Sequence, residues 1–495
     1  MGALAQRDDR VWLLAAALLS AVGGALIPSV VDNVRLGEQF ALYPLLLGLL
    51  VASVVAYRVI GRSEPSLAFD VRWFYAAPIV VTSVLLSVIS GSQAHQLAWA
   101  LLAGIFGLLT LANSAHLRVA VPLWLVAYAV GGLVLRLFST LDTSLIFDVG
   151  LSVVALFVMW QVARSLAAPG GVMRFLGAVA ACYWAVTVLG VLVELTGVSI
   201  GAMNPSTVVL PWQEGAFADI FVNGNYQGYG FITAQGGREI SFIVGLYHFL
   251  GWRRTRAVLP AVLAGIAAHQ FLTSYGRVPL VGAVVGFTVV LLTTRRGTSF
   301  SRLLVGTFVL IAIIFATGAA SRIVDVSSRE GGTSTGFDTG HASLWSQHLG
   351  LFIQHPLAGV GSNPSAREIA ETWENPVISA YQPLMMDDLL ARGSRGEGGW
   401  TGLIAQRGIF GGAIVLALLG LAVAYCLRPF PRDPLAAQDM TVLRGVLPAS
   451  FIFTITDIAP FSPYSVTAYV LGQLTLIAVV RELARRSPRF TSEAS

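Results

Sequence analysis

Apolar stretches of about 20 residues, the length an α-helix needs to cross a hydrocarbon core of about 30 Å, recur along this whole chain. They centre near Ala21, Leu50, Val81, Gly104, Val126, Val153, Val186, Phe242, Gly265, Val285, Ile311, Val415, Phe453 and Thr475. Because hydrocarbon leaves every backbone N–H and C=O to be satisfied internally, the pattern predicts an all-α polytopic membrane protein with about fourteen transmembrane helices. Composition agrees. Of 495 residues, 55% are hydrophobic and 12% charged, and the mean hydropathy is +0.74, whereas a soluble domain carries about 25% charged residues. The first run, from Val11 to Val31, has no small-residue cleavage site before its polar exit, so it is expected to be a retained span and not a signal peptide.

All 31 basic residues are arginine, an inventory that points to a GC-rich bacterial genome. Their placement orients the chain, because cytoplasmic loops collect positive charge. With the N-terminus inside, twenty-one arginines fall on the cytoplasmic side. The other ten are Arg35, Arg136, Arg238, Arg277, Arg322, Arg329, Arg367, Arg392, Arg395 and Arg407. The expected topology therefore has both termini in the cytoplasm of a bacterial inner membrane. A net charge of +5 is ordinary for such loops and gives no reason to expect nucleic acid.

Four regions follow: helices one to seven in 1–197, an outer segment and helices eight to eleven in 198–320, a large extracytoplasmic loop in 321–400, and helices twelve to fourteen in 401–495. A loop of about 80 residues exceeds what a compact protein tolerates without structure, so this one is expected to carry helices and function. From His341 to Gln354, Leu344, Trp345, Leu349 and Phe352 recur at helical spacing, predicting an amphipathic helix on the membrane surface or on the bundle. His355-Pro356 ends it, since proline disfavours the helical conformation in the residue before it. A second helix is expected from Pro364, capped by Ser362 or Asn363.

The outer arginines are the most informative chemical group, because each opposes the topological preference of its side. A guanidinium presents five donors in a planar fork that matches phosphate oxygens, so several converging would clamp a diphosphate. Arg238, within Gly236-Gly237-Arg238-Glu239, lies in a span, where an ionisable residue is expensive; Glu239 is its candidate neutralising partner. Arg277 closes Thr273-Ser274-Tyr275-Gly276-Arg277 at a tight outer turn, and Arg322 and Arg395 flank the large loop. Trp212, Tyr226, Tyr229, Trp373, Tyr381 and Trp400 lie in or beside the outer segments, suited either to stacking on sugar rings or to the membrane interface. His341, His348 and His355 repeat every seven residues, about 10 Å along a helix, too far apart to share a metal ion. Asp387-Asp388 lacks a further carboxylate nearby in sequence. No metal or other cofactor is expected.

The order of several motifs resembles the O-antigen ligase and Wzy-type polymerase superfamily. The small-polar turn ending in Arg277 is followed by Thr339-Gly340-His341-x-x-x-Trp345, then His355-Pro356-Leu357-x-Gly359-Val360-Gly361, Glu397-Gly398-Gly399-Trp400 and Gln406-x-Gly408-x-x-Gly411. These cover Phe271 to Ala424, about a third of the chain. The resemblance implies a GT-C-like, metal-independent integral-membrane glycosyltransferase. Such an enzyme moves a glycan from a polyprenyl diphosphate carrier to an acceptor sugar on the outer face of the membrane.

On that resemblance Arg277 and then Arg238 would stabilise the charge that builds on the departing diphosphate. Glu397 stands where the ligases carry a histidine and would accept the proton of the attacking hydroxyl. His341, where many members carry arginine, is an alternative base or phosphate partner. Arg322, Arg395, Trp345 and Trp400 complete the expected glycan and diphosphate contacts. Glu397 in place of histidine favours repeat-unit polymerisation over ligation to a lipid or protein acceptor. A chain-length regulator and a flippase are candidate partners. A reading of another class, a transporter or flippase, would place its charge deep in a cavity between two related halves; here the outer charge concentrates in one late loop.

Overall fold

The computed structural model describes residues 121–139, 152–153, 156–157, 159–164, 166–196, 237–273, 277–293, 341–357, 359, 399–456, 461 and 466–486. Among these, every regular element is an α-helix. The helices are α1 (Leu123–Ser139), α2 (Gly171–Thr196), α3 (Gly237–Thr255), α4 (Val258–Thr273), α5 (Arg277–Thr293), α6 (His341–Gln354), α7 (Gly399–Cys426), α8 (Pro434–Thr456) and α9 (Val466–Arg486). Further helical residues lie within 152–164. The apolar runs centred on Val126, Val186, Phe242, Gly265, Val285, Val415, Phe453 and Thr475 each fall inside one of these helices. Those centred on Ala21, Leu50, Val81, Gly104 and Ile311, and the helix expected from Pro364, lie outside the described residues.

Among the described residues, two helices are long and apolar enough to cross a membrane: α7, and the Thr467–Arg486 stretch of α9. They meet their surroundings differently. In α9, 89% of the apolar window is buried against other helices, whereas in α7 only 39% is. Thus α9 is the more enclosed of the two, and interior polar side chains on it bond to backbone: Thr475 donates to the Leu471 carbonyl at 2.8 Å and Gln473 to Met159 O at 3.1 Å. Along α7, Ile409, Leu416 and Val423 are exposed, an apolar stripe of the kind a lipid-facing helix presents.

The core gathers Trp160, Phe175, Ile243, Phe453 and Tyr469, with Phe453 edge-on to Phe242 at 5.8 Å. Close crossings of small residues bring the helices together. A Cβ at Gly286 would lie 2.5 Å from Gly445 O, and one at Gly282 would lie 2.6 Å from the Phe453 ring. These pairings run α5 and α8 antiparallel. Likewise α3 and α4 form an antiparallel hairpin, closed by Arg256 in the left-handed region (φ 55°), whose amide donates to Trp252 O at 2.7 Å.

Consequently the helix ends segregate. At one end lie the starts of α2, α4 and α8 with the finish of α3, α5, α7 and α9; at the other lie the starts of α3, α5, α7 and α9. Arginines secure the first end. Arg481 donates to the carbonyls of Ala167 (2.9 Å) and Ala168 (2.7 Å) and pairs with Asp439 at 2.5 Å. Asp439 in turn accepts from the Met173 amide at 3.1 Å. This caps the first turn of α2 from a neighbouring helix, serving donors that a helix start leaves unsatisfied. Arg428 grips Glu482 with two hydrogen bonds of 2.6 Å, and Arg486 adds a third at 2.7 Å. Arg444 donates to the carbonyls of Cys426 (2.9 Å) and Arg428, finishing α7. The next helix begins on Asp433, whose side chain accepts from the Leu435 amide at 3.2 Å, with Pro434 in the first helical position where its missing N–H does no harm.

Candidate functional site

At the opposite end, α7 is broken. Gly408 has φ 62° and ψ −170° inside an otherwise continuous helix. An unbroken helix would send the amides of Ile409 and Phe410 to the carbonyls four residues back. Here they donate to Pro356 O at 2.7 Å and Leu357 O at 3.3 Å. The segment that accepts them follows α6, held in a turn by Gly359 N donating to His355 O at 2.9 Å. Gly359 is itself at φ +69°, and a Cβ there would stand 2.5 Å from Gln406 C and 2.6 Å from both Ala405 O and Arg407 N. Only glycine fits both conditions. The motifs His355-Pro356-Leu357-x-Gly359 and Gln406-x-Gly408-x-x-Gly411 are thus interlocked backbone to backbone.

Helix α6 is fixed to the same stretch. Leu351 packs with Ala405, and His348 Nδ1 lies 3.2 Å from Thr401 Oγ1. The imidazole is 1% exposed, and burial holds its pKa down at about 4, so at neutral pH it is uncharged. Its Nε2 has no hydrogen-bond partner among the described residues. The helix spans His341–Gln354, as the His355-Pro356 terminator predicts, and it lies on the bundle. Leu349, one of the apolar positions at helical spacing, is 55% exposed, and Ile353 is exposed with it. The inward positions are His348 and Leu351, because Thr401 supplies the histidine with a polar partner and Ala405 leaves room for the leucine.

Arg238 is the second residue of α3 and Arg277 the first of α5. These helices run parallel and touch through Phe242 and Gly286, where a Cβ would lie 3.0 Å from the phenyl ring. Both arginines therefore begin adjacent helices at the end of the bundle that holds the α7 break. Beside Arg238, Glu239 is buried. His341 opens α6 and Trp345 lies in its second turn. Trp400, in the first turn of α7, is half-buried; its Nε1 donates to Phe451 O at 3.4 Å and its ring lies 5.2 Å from that of Phe451, tilted by 44°. Arg322, Arg395 and Glu397 lie outside the described residues.

Two residues beside the break carry more than the sequence suggested. Gln406 and Arg407 are buried, at 3% and 9% exposure, and a Cβ at Gly411 would stand 2.7 Å from Arg407 Cβ and 3.5 Å from the ring of Tyr128 of α1. The signal was present in the Gln406-x-Gly408-x-x-Gly411 spacing, since glycine inside an apolar helix marks a kink or close approach. Gln406 and Arg407 thus sit at a discontinuity of α7, at the bundle end where Arg238 and Arg277 begin their helices. No protein-family model matches the chain, and no curated protein is significantly similar to it.

Proposed function

We propose that this chain is a bacterial inner-membrane glycosyltransferase with about fourteen spans, a GT-C-like architecture and both termini in the cytoplasm. It transfers a glycan from a polyprenyl diphosphate carrier to an acceptor sugar on the extracytoplasmic face, acting as a Wzy-like repeat-unit polymerase. The observation that supports this reading best is the interlock of Pro356 and Leu357 with Ile409 and Phe410. Motifs read from the sequence as one functional set, 50 residues apart, meet in space, at the bundle end where Arg238 and Arg277 start their helices.

In the proposed reaction the acceptor hydroxyl attacks the anomeric carbon while the bond to the carrier oxygen breaks. Its proton passes to Glu397, and the polyprenyl diphosphate leaves with the bonding pair. Arg277 and Arg238 face the growing negative charge, a stabilisation that acts where charge develops and not on the substrate as it binds. Trp400, held by Phe451, offers an aromatic edge for a sugar.

Mass spectrometry of lipid-linked glycans in cells with and without the protein tests this. A polymerase predicts that its loss leaves single repeat units on the carrier. Accumulated long lipid-linked polymer would identify a ligase instead, and unchanged glycans would sink the reading.

A further inference from the structure

One buried polar cluster lies apart from the α7 break. The Tyr183 hydroxyl of α2 donates to Gln270 Oε1 of α4, and it lies 3.1 Å from Ser241 Oγ of α3. Gln270 Nε2 donates back to Thr187 Oγ1 of α2 at 3.4 Å. All four side chains are buried, with Ser241 and Gln270 at 0% exposure. One phenol thus ties three helices at a single level.

That level has a particular address. Ser241 follows Arg238 by three positions, so the two occupy neighbouring places on one side of α3. Gln270 is three residues from Thr273, where α4 ends, and α5 begins with Arg277 after a three-residue connection. The rest of the α3–α4 contact has no need of polar ties. A Cβ at Gly245 would lie 3.6 Å from Ala267 Cβ, one at Gly251 would lie 3.8 Å from Pro260 Cβ, and the two-residue turn closes the hairpin at its other end. The open end is the one that carries the arginines, and there the hydroxyl of Tyr183 bridges α3 and α4 beside the Phe242–Phe271 ring pair, whose centroids are 6.2 Å apart.

We infer that Tyr183, through its hydrogen bonds to α3 and α4, is a positioning residue for the diphosphate clamp formed by Arg238 and Arg277. The inference rests on the proposed donor chemistry. It adds that the clamp is pre-set by a tie inside the bundle, so that binding need not draw the two helix starts together. Preorganised donors hold an anion more tightly because less is lost in ordering them.

The test uses the full chain in lipid nanodiscs, with undecaprenyl diphosphate as probe. Tyr183→Phe keeps the ring and removes the ties; Gln270→Met removes the α4 partner. The control is Trp184→Phe, which deletes a hydrogen bond of 2.8 Å from α2 to His248 of α3, about two turns further from the arginines. Tyr183→Phe and Gln270→Met should each weaken probe binding by about tenfold, the order expected for losing a buried hydrogen bond. They should also speed hydrogen exchange over 237–243 and 268–273. Trp184→Phe should bind as wild type does. Equal affinity in all four proteins, alongside a lowered melting temperature in the variants, would make Tyr183 interhelical glue only and overturn the inference. A wild-type protein that does not bind the probe would instead overturn the donor chemistry, and the positioning role with it.

Discussion

The Ile409 amide donates to the Pro356 carbonyl at 2.7 Å, so a helix of the bundle completes its hydrogen bonding only when the segment after α6 is in place. The break at Gly408 divides α7 into a nine-residue opening section and the 18 residues Ile409–Cys426. The longer section spans about 27 Å at 1.5 Å per residue, close to the thickness of a hydrocarbon core. In a membrane, unsatisfied amides at that boundary would cost several kcal/mol each. The segment after α6 is therefore built into the helical bundle through the backbone of α7.

The interlock makes Gly359 irreplaceable. Alanine there would be strained at φ +69° and would press its methyl against the backbone of Gln406 and Arg407, which has no free end to move aside. Gly359→Ala should lower stability by at least about 2 kcal/mol, combining the left-handed strain with the clash. Leu357→Ala, two residues away at an exposed side chain, should stay within about 0.5 kcal/mol of wild type. Thermal unfolding in one detergent reads both; comparable losses would mean that the backbone contact is not what holds the segment.

At the other end, the Arg481–Asp439 pair is buried on both sides, with side-chain exposures of 7% and 0%. Removing one member strands the other charge, so Asp439→Asn should cost about 3–5 kcal/mol. Part of that loss is the cap that Asp439 gives the Met173 amide. Arg486→Ala removes a partner that is 54% exposed and should cost no more than about 1 kcal/mol. A double-mutant cycle on residues 439 and 481 measures the coupling directly, and a coupling below about 0.5 kcal/mol would contradict the ion-pair account.

Much of this was legible in the sequence where a local rule decides. The His355-Pro356 pair ends α6 at Gln354, and apolar runs mark the bodies of α1 to α5 and α7 to α9. What escaped depends on partners remote in the chain. The Gln406-x-Gly408 spacing marks a kink in the apolar run of α7 but not where the freed amides go; they are taken by carbonyls of the segment after α6. Hydrophobic spacing marked Leu349 as part of an apolar face and left His348 unassigned; the face that meets α7 carries His348, beside the Thr401 hydroxyl, and Leu351. Arg481 counted only as topological charge until Asp439, 42 residues earlier, came to face it.

His348 makes stability depend on pH. Its folded-state pKa of about 4 lies below the ordinary 6.5, so between those values the unfolded chain binds the proton that the folded chain refuses. Stability is therefore complete above about pH 7, falls as the pH drops through 6.5, and stops falling below about pH 4. From pH 7 to pH 5 the loss from this residue should be about 2 kcal/mol. Unfolding midpoints of wild type and His348→Gln at the two pH values check it. The variant should be flatter across that interval; an unchanged slope would remove His348 as the cause.

Arg277 carries the sharpest functional prediction, because it opens α5 at the bundle end opposite the Arg428–Glu482 and Arg481–Asp439 pairs. If its guanidinium stabilises the departing diphosphate, Arg277→Ala removes an interaction made chiefly in the transition state. Turnover should then fall by about 10²–10³-fold, with little change in the concentration of acceptor needed. Lysine restores charge without the planar fork, so Arg277→Lys should recover only part of the loss. The comparison variant is Arg432→Ala, an exposed residue of the opposite end, expected to transfer glycan normally. Each variant is expressed in cells lacking the native protein, and lipid-linked glycans and polymer length are measured together. Polymer of wild-type length and yield from Arg277→Ala would exclude this residue from the chemistry. Loss of polymer with accumulated single units, from Arg277→Ala and not from Arg432→Ala, would place the charge-stabilising step at the start of α5.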